Sequence, residues 1–333
     1  MSLISASILG VQGPVLTATE AAFFRDAAPW GFVLFARNVE TPDQLRRLTA
    51  DLRAAVGRDA PVFVDQEGGR VQRLRAPYWF EYAPPLDQAP HGAASFHLRG
   101  RMLAAELRAV GIDGNFAPCA DLAWPETHPF LRSRCMGTTA AEVAANARAL
   151  ADGMLAGGVL PVVKHMPGHG RATQDSHLET PLIDQPRAVL DATDFAPFKA
   201  LADLPLGMTA HIRLPFFGDR PATMNPAALA MMRDDWGFAG AIMTDDIGMG
   251  ALTGAIRDRA AASVAAGCDL VLHCNDDIAG FSQAAEGAGA LTGAALARCD
   301  RALAQRRAPE SVDFAALAAD LSAMTGSAAA HHA

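Results

Sequence analysis

Residues 139–165 read TAAEVAANARALADGMLAGGVLPVVKH. Thr139, with Glu142 three positions on, has the form of a helix N-cap with its reciprocal partner. Val143, Ala147, Leu150 and Met154 then recur at helical spacing, and Gly157-Gly158 supply the stop. The apolar run 160–164 follows at once as a strand and ends on Lys164-His165. A helix that feeds directly into a buried strand, with chemistry waiting at the strand's far end, is the repeating half of a βα unit. The same grammar stands upstream. Thr41-Pro42-Asp43-Gln44 is a second capping box with proline at the first helical position; Leu45, Leu48, Leu52 and Val56 form its apolar face, and Gly57 ends it.

Runs with strand character recur at 5–11, 31–36, 61–65, 114–118, 160–164, 206–210, 241–244 and 269–273, alternating with helical segments. Such a string suits either a closed barrel or a doubly wound open sheet, and periodicity does not separate the two. The polar residues do. Arg37-Asn38, Asp65-Gln66-Glu67, Asp121, Lys164-His165, His211, Asp245-Asp246 and Asn275 each stand at a predicted C-terminal strand edge, a distribution that fits a ring of loops around one mouth. The expectation is an α/β fold: a single-domain (β/α)8 TIM-type barrel over residues 1–333, with its core at about 5–280, a C-terminal helical extension at about 281–325, and a frayed tail. No fixed-period repeat and no long low-complexity linker interrupts the chain. The proline-rich segment around Pro77, Pro84, Pro85 and Pro90 reads as a long barrel loop.

Half of the 333 residues are apolar, enough for a sizeable core. Acidic side chains number 36 against 28 basic, a net charge of -8. The basic residues are scattered, which argues against a nucleic-acid partner. Cys119, Cys135, Cys268, Cys274 and Cys299 form no Cys-x-x-Cys pair and no zinc spacing, and read as reduced, buried thiols. The apolar stretch 3–11 lacks a positive flank, the first basic residue being Arg25. No apolar run approaches the roughly 18–20 residues that span a bilayer. The expected location is therefore cytoplasmic, with no membrane span.

Three clusters carry chemistry. Lys164-His165-Met166-Pro167-Gly168-His169-Gly170, followed by Asp175-Ser176-His177, gathers a lysine, three histidines and an aspartate after one strand. Asp175 and His177, two apart on a loop, can meet side chain to side chain, the carboxylate orienting an imidazole for proton transfer near neutral pH. A metal held by His165, His169 and His177 is disfavoured, because Pro167, Gly168 and Gly170 prevent the helix that would put a pair four apart on one face. In Thr244-Asp245-Asp246, neighbouring strand residues face opposite ways, so one carboxylate points to the mouth and the other hydrogen-bonds structure. In 64–73, Asp65 leads through Glu67 and Gly68-Gly69 to Arg70 and Arg73, and a carboxylate there suits vicinal sugar hydroxyls.

At these segments, in order and spacing, the chain closely resembles glycoside hydrolase family 3, and within it the bacterial β-N-acetylglucosaminidases (β-hexosaminidases) of the NagZ type; the likeness spans residues 5 to 280. The resemblance implies a retaining exo-enzyme with Asp245 as nucleophile, His177 as general acid/base and Asp175 as the group that tunes it. Asp65, Arg73, Arg134 and the Lys164-His165 pair would line the N-acetylglucosamine subsite. Arg132 competes with Arg134, because the family's Arg-Ser-aromatic-Gly stretch stands here as Arg134-Cys135-Met136-Gly137. Ile247-Gly248-Met249 replaces the frequent Leu-Ser-Met after the nucleophile. No cofactor and no metal are implied. The expected substrate is a carbohydrate, GlcNAc joined β-1,4 to 1,6-anhydro-N-acetylmuramic acid, from peptidoglycan recycling, with water or phosphate as acceptor. A Schiff-base lyase or aldolase using Lys164 is the competing class, and Glu67 and Asp121 are the reserve proton donors if His177 serves otherwise.

Overall fold

The computed structural model describes residues 3–176 and 178–326. Its eight strands, β1 (Ser5–Gly10), β2 (Pro29–Leu34), β3 (Val62–Val64), β4 (Gly114–Asn115), β5 (Leu160–Met166), β6 (Leu206–Thr209), β7 (Ala241–Met243) and β8 (Val271–His273), are those expected, each within a few residues. Every ladder is parallel, and the order runs β7-β6-β5-β4-β3-β2-β1-β8. One parallel bridge, Met243 to Leu270, brings β7 back to the approach of β8. Thr244 N donates to Leu270 O at 3.0 Å and Ile247 N to Leu272 O at 3.0 Å, so the circle is nearly closed and a doubly wound sheet is excluded.

Helices α1 (Ala18–Ala27), α2 (Pro42–Val56), α3 (Gly92–Ala109), α4 (Ala140–Ala156), α5 (Arg187–Ala192), α6 (Ala196–Ala200), α7 (Pro226–Ala230), α8 (Ile256–Ala266) and α9 (Ile278–Ala288) fill the crossovers, and α10 (Gly293–Leu303) and α11 (Phe314–Thr325) follow. At α2 the capping box forms as read: Gln44 N donates to Thr41 Oγ1, Thr41 N to Gln44 Oε1, and Gly57 takes a left-handed φ of 63°. The second box forms by half. Thr139 Oγ1 accepts from Glu142 N, but the Glu142 carboxylate reaches past Thr139 to Thr138 N at 2.8 Å, one amide further out along the same loop. Val143, Ala147, Leu150 and Met154 are buried as their spacing implied.

Strands buried on both sides read as near-continuous apolar runs, and here all eight are wholly buried. Phe63 and Phe116 stack at 5.2 Å between β3 and the end of β4. Below, at the N-terminal ends of the strands, two buried aspartates tie α10 and the residues just after it to the barrel. Asp113 accepts from Val62 N at 2.7 Å, Arg53 at 3.0 Å and Arg306 at 2.5 Å; Asp269 accepts from Ile242 N, Arg233 and Arg298. Conserving strand geometry at the base leaves the opposite rim to loops that carry function. The proline-rich segment lies on that rim, pinned by Arg99 of α3, which donates to Gln88 Oε1 at 2.7 Å, to Ala83 O at 2.8 Å and to Glu67 O.

Candidate active site

Of the residues at the C-terminal strand edges, Asp65, Lys164, His165, Asp245, Asp246 and Asn275 meet around one cavity, while Arg37, Asn38, Gln66, Glu67, Asp121 and His211 stand outside its lining. Asp65, Arg73, Arg134, Lys164, His165 and Asp245 all line it. Five of these come from the ends of β3, β5 and β7 or the loops just after them, and Arg134 from the loop ahead of α4, so the barrel itself sets their spacing.

One wall is a network of ion pairs, buried around Glu67 and half-buried at Asp65 and Arg73. Lys164 Nζ lies 2.8 Å from Asp65 Oδ1 and 2.6 Å from Glu67 Oε1. Arg73 Nη2 reaches Asp65 Oδ2 at 3.1 Å, and its guanidinium covers the Phe35 ring. Arg134 clasps Glu67 in bidentate fashion, Nε to Oε2 at 2.9 Å and Nη2 to Oε1 at 2.8 Å. Burial would raise both carboxyls, but Lys164 and Arg73 around Asp65, and Arg134 and Lys164 around Glu67, outweigh it. Asp65 is held well below the ordinary carboxylate range and Glu67 at about 2. The same pairing works in reverse on Lys164: burial pulls against its charge, yet Asp65 and Glu67 raise it above the usual lysine value. A Schiff-base lysine must shed its proton to attack, so this ammonium does not suit an aldolase.

His165 sits between this network and Asp121. Its Nδ1 is 2.7 Å from Asp121 Oδ2 and its Nε2 is 3.3 Å from Arg134 Nη2. A guanidinium has donors alone, so Nε2 accepts and Nδ1 carries the proton toward Asp121. Asp121 also accepts from His169 N at 2.6 Å. Burial is outweighed by His165 and His169, and Asp121 falls to about 2. Both reserve donors named from the sequence, Glu67 and Asp121, are thus fixed as hydrogen-bonded anions and have no proton to give at neutral pH. Cys119, Asp121 and His165 bring ligand-type atoms within 4.8 Å of one another, a grouping the histidine spacing did not suggest. Cys119 Sγ and His165 Nδ1 there already donate to Asp121.

Asp245 follows β7. Its Oδ1 accepts from Asp246 N at 2.8 Å. Burial raises its pKa, but His165, His211, the Asp246 amide and Lys164 together bring it below the usual value, so it is a carboxylate at the cavity wall. Asp246 also borders the cavity, with its Oδ1 engaged by Gly248 N at 2.9 Å, Cys274 N at 3.1 Å and His273 Nδ1 at 3.1 Å. His211, after β6, bridges Thr223 Oγ1 at 2.8 Å and the Asp246 carbonyl at 3.0 Å and so braces this turn from beneath.

Asp175 is half-buried, and its carbonyl accepts from Leu178 N and Glu179 N. Ser176 beside it lines the cavity. His177 lies outside the described residues, and so does the expected meeting of the dyad. Arg132, the competitor for the sugar subsite, turns away to the Trp124 carbonyl, while Arg134 lines the cavity. Sequence reasoning left several wall residues without a role. Phe35, Phe116, Phe130 and Met208 are apolar and carry no chemical signal in the sequence; Arg70 stands out there only by its place in a motif, and His169 only within the histidine cluster and as a candidate metal ligand.

The model of the glycosyl hydrolase family 3 N-terminal domain matches residues 16–303. The chain belongs to glycosyl hydrolase family 3. It is 36% identical over 284 residues to a β-hexosaminidase of Alkalilimnicola ehrlichii, covering 82% of this chain and 81% of that protein. It is 39% identical over 273 residues to a β-hexosaminidase of Methylococcus capsulatus, covering 79% and 80% respectively. Among solved structures it superposes on NagZ of Neisseria gonorrhoeae in complex with N-trifluoroacetyl-D-glucosamine with a TM-score of 0.83 at 30% identity, covering 97% of each chain. As a family 3 member the chain is a glycoside hydrolase. No helix among its described residues is long and apolar enough to cross a membrane.

Proposed function

We propose that this chain is a retaining exo-β-N-acetylglucosaminidase (a β-N-acetylhexosaminidase) that releases terminal N-acetylglucosamine through a covalent glycosyl-enzyme on Asp245. The observation that carries the reading is the ionised Asp245 carboxylate at the wall of a cavity whose other side is the Asp65–Lys164–Glu67–Arg134 network. A retaining mechanism requires a carboxylate to trap the oxocarbenium-like carbon and a second group that protonates the leaving oxygen and later deprotonates water.

The second group in this reading is His177, oriented by Asp175. Glu67 and Asp121 are tied up as anions, which supports placing the proton work on the loop beyond them. An imidazole has an unperturbed pKa of about 6.5 and can both give and take a proton near neutrality. Asp65, Arg73, Arg134, Lys164 and His165 bind the sugar: ionised acceptors and fixed donors stand ready for hydroxyls and the acetamido carbonyl, and they cost no reorganisation when the substrate arrives.

The natural substrate is a muropeptide fragment, GlcNAc β-1,4-linked to 1,6-anhydro-N-acetylmuramic acid, handled in the cytoplasm during peptidoglycan recycling. The β-hexosaminidase names of the relatives and five buried, unbridged thiols support this placement. Incubation with 4-nitrophenyl N-acetyl-β-D-glucosaminide tests the reading, with the product followed by proton NMR. β-GlcNAc as the first-formed anomer is expected. First-formed α-anomer would overturn retention, and GlcNAc 1-phosphate formed in phosphate buffer would make phosphate the acceptor.

A further inference from the structure

His169 is 2% exposed and lines the cavity, yet among the described residues neither Nδ1 nor Nε2 has a hydrogen-bond partner. Buried polar side chains in native proteins nearly always find one, because lost hydration is not otherwise repaid. An imidazole left wanting on both nitrogens at the wall of a substrate cavity is a group awaiting a ligand.

The surrounding chain holds the ring where it is. Gly168 runs at a φ of +141°, where a side chain would be strained, with the Asp194 backbone against it; a Cβ on Gly170 would stand 2.2 Å from Leu122 O. Between these two pinned glycines, His169 N donates to Asp121 Oδ1 at 2.6 Å. Phe130 meets the ring edge-on at 5.8 Å and His165 at 5.9 Å, which fixes its plane. Burial, reinforced by His165, lowers its pKa to about 4, so at neutral pH the ring is uncharged and offers one donor and one acceptor.

That chemistry differs from the ion-pair wall around Asp65 and Lys164. A neutral donor–acceptor pair backed by a phenyl ring matches an uncharged polar group that can itself both give and accept, as a sugar hydroxyl or a secondary amide does. We propose that His169 contacts the substrate directly, the bound N-acetylglucosaminyl unit supplying through a hydroxyl or its acetamido group the hydrogen bond that the imidazole lacks. This rests on reading the cavity as a glycoside subsite.

The test uses the full chain, labelled with ¹⁵N at histidine and titrated with N-acetylglucosamine, the His169 ring signals being assigned by their loss in His169→Phe. On saturation at least one His169 ring nitrogen should shift, in the wild type and also in Asp245→Asn, which cannot turn over. His169→Phe removes both polar atoms but keeps an aromatic ring, so its thermal midpoint should match or exceed that of the wild type while kcat/KM falls on the order of tenfold, the worth of about one hydrogen bond. His169→Asn, which retains a donor and an acceptor, should recover part of that loss. Unshifted ring nitrogens at saturation, or unchanged kcat/KM in His169→Phe, would overturn the proposal. So would parallel losses of midpoint and activity, which assign the ring to structure. A wild type that neither binds N-acetylglucosamine nor cleaves its β-glycosides would instead remove the glycoside reading, and this inference with it. A wild type that cleaves while His169 stays silent removes this inference alone.

Discussion

Asp245 and Asp246 share a peptide bond and divide two tasks between them: the Asp246 amide donates to Asp245 Oδ1 at 2.8 Å, while Asp246 spends its own Oδ1 on Gly248 N, Cys274 N and His273 Nδ1. The first carboxylate is thereby left for the cavity, and the second fastens the turn across to His273 at the end of β8 and to Cys274 just after it, beside the seam where the barrel closes through a single bridge.

Replacing the two aspartates should therefore have opposite signatures. Asp245→Ala or Asp245→Asn should abolish turnover with the unfolding midpoint near that of the wild type, since in the proposed mechanism no glycosyl-enzyme could then form. Asp246→Ala strands three donors and should cost about 1–3 kcal/mol of stability in urea unfolding, with activity reduced in proportion to the disturbed turn. A 5-fluoro glycosyl donor followed by peptide mass spectrometry should place the label on Asp245. A label on Asp246 would reverse the division of roles.

Glu106 gives a prediction about pH. Its carboxyl accepts from Phe80 N at 2.6 Å and from Tyr82 Oη at 2.7 Å, anchoring the loop that precedes α3, and burial raises its pKa to about 7. A folded-state pKa above the unfolded value of 4.5 means that the protonated form is favoured on folding. The associated stability is full below pH 4.5 and is lost as pH rises through 7, on the order of 3 kcal/mol in all. Glu106→Gln keeps an acceptor for Phe80 N and removes the titration. The variant should hold its urea midpoint between pH 5 and pH 8, where the wild type declines; parallel declines in both proteins would count against the assignment.

Much of the fold is legible in the sequence. The helix face of α4 and the stop at Gly57 follow from spacing and from the left-handed region that glycine enters freely. The polar residues at seven strand edges marked the mouth, because a strand's direction fixes which end carries the loops. The sugar-subsite roles expected of Asp65, Lys164 and Arg134 rest on likeness to a family rather than on spacing; the structure brings the three side chains to one cavity. What stayed hidden depends on contacts between distant segments. No local pattern says that Glu67 is clasped by Arg134, 67 residues away, or that Asp121 is claimed by His165, 44 away. The Glu142 carboxylate bypassing Thr139 for Thr138 is a choice between adjacent amides that a motif cannot register.

Substrate range should follow from the wall. Asp65, Arg134, Lys164 and His165 should favour the N-acetylglucosaminyl ring over plain glucose, because a site with buried polar groups rejects a ligand that leaves them unpaired. Matched 4-nitrophenyl glycosides measure this directly. Comparable kcat/KM for the β-glucoside and the N-acetyl-β-glucosaminide would count against the proposed subsite. Lys164→Met, which leaves Asp65 and Glu67 without their shared cation, should depress activity on both substrates and weaken the preference.

The proton-transfer role proposed for the His177 loop can be tested by separating the two half-reactions, since leaving groups differ in how much protonation they need. With His177→Ala, a sugar leaving group should depart far more slowly, whereas 4-nitrophenolate, already a good leaving group, should lose much less in the first step. In the proposed mechanism, breakdown of the glycosyl-enzyme on Asp245 should then become limiting, because no base would remain to activate water. A burst of nitrophenolate should appear, and added azide should restore part of the turnover by attacking without deprotonation. Asp175→Asn should show a weaker form of the same pattern, the imidazole being present but poorly oriented. If His177→Ala lost activity equally on both leaving groups and gained nothing from azide, the histidine would be a binding group. Glu67 and Asp121 could not take its place while Arg134, Lys164 and His165 hold them as anions, so the search for the acid would turn to the segment around Ser176 at the cavity wall.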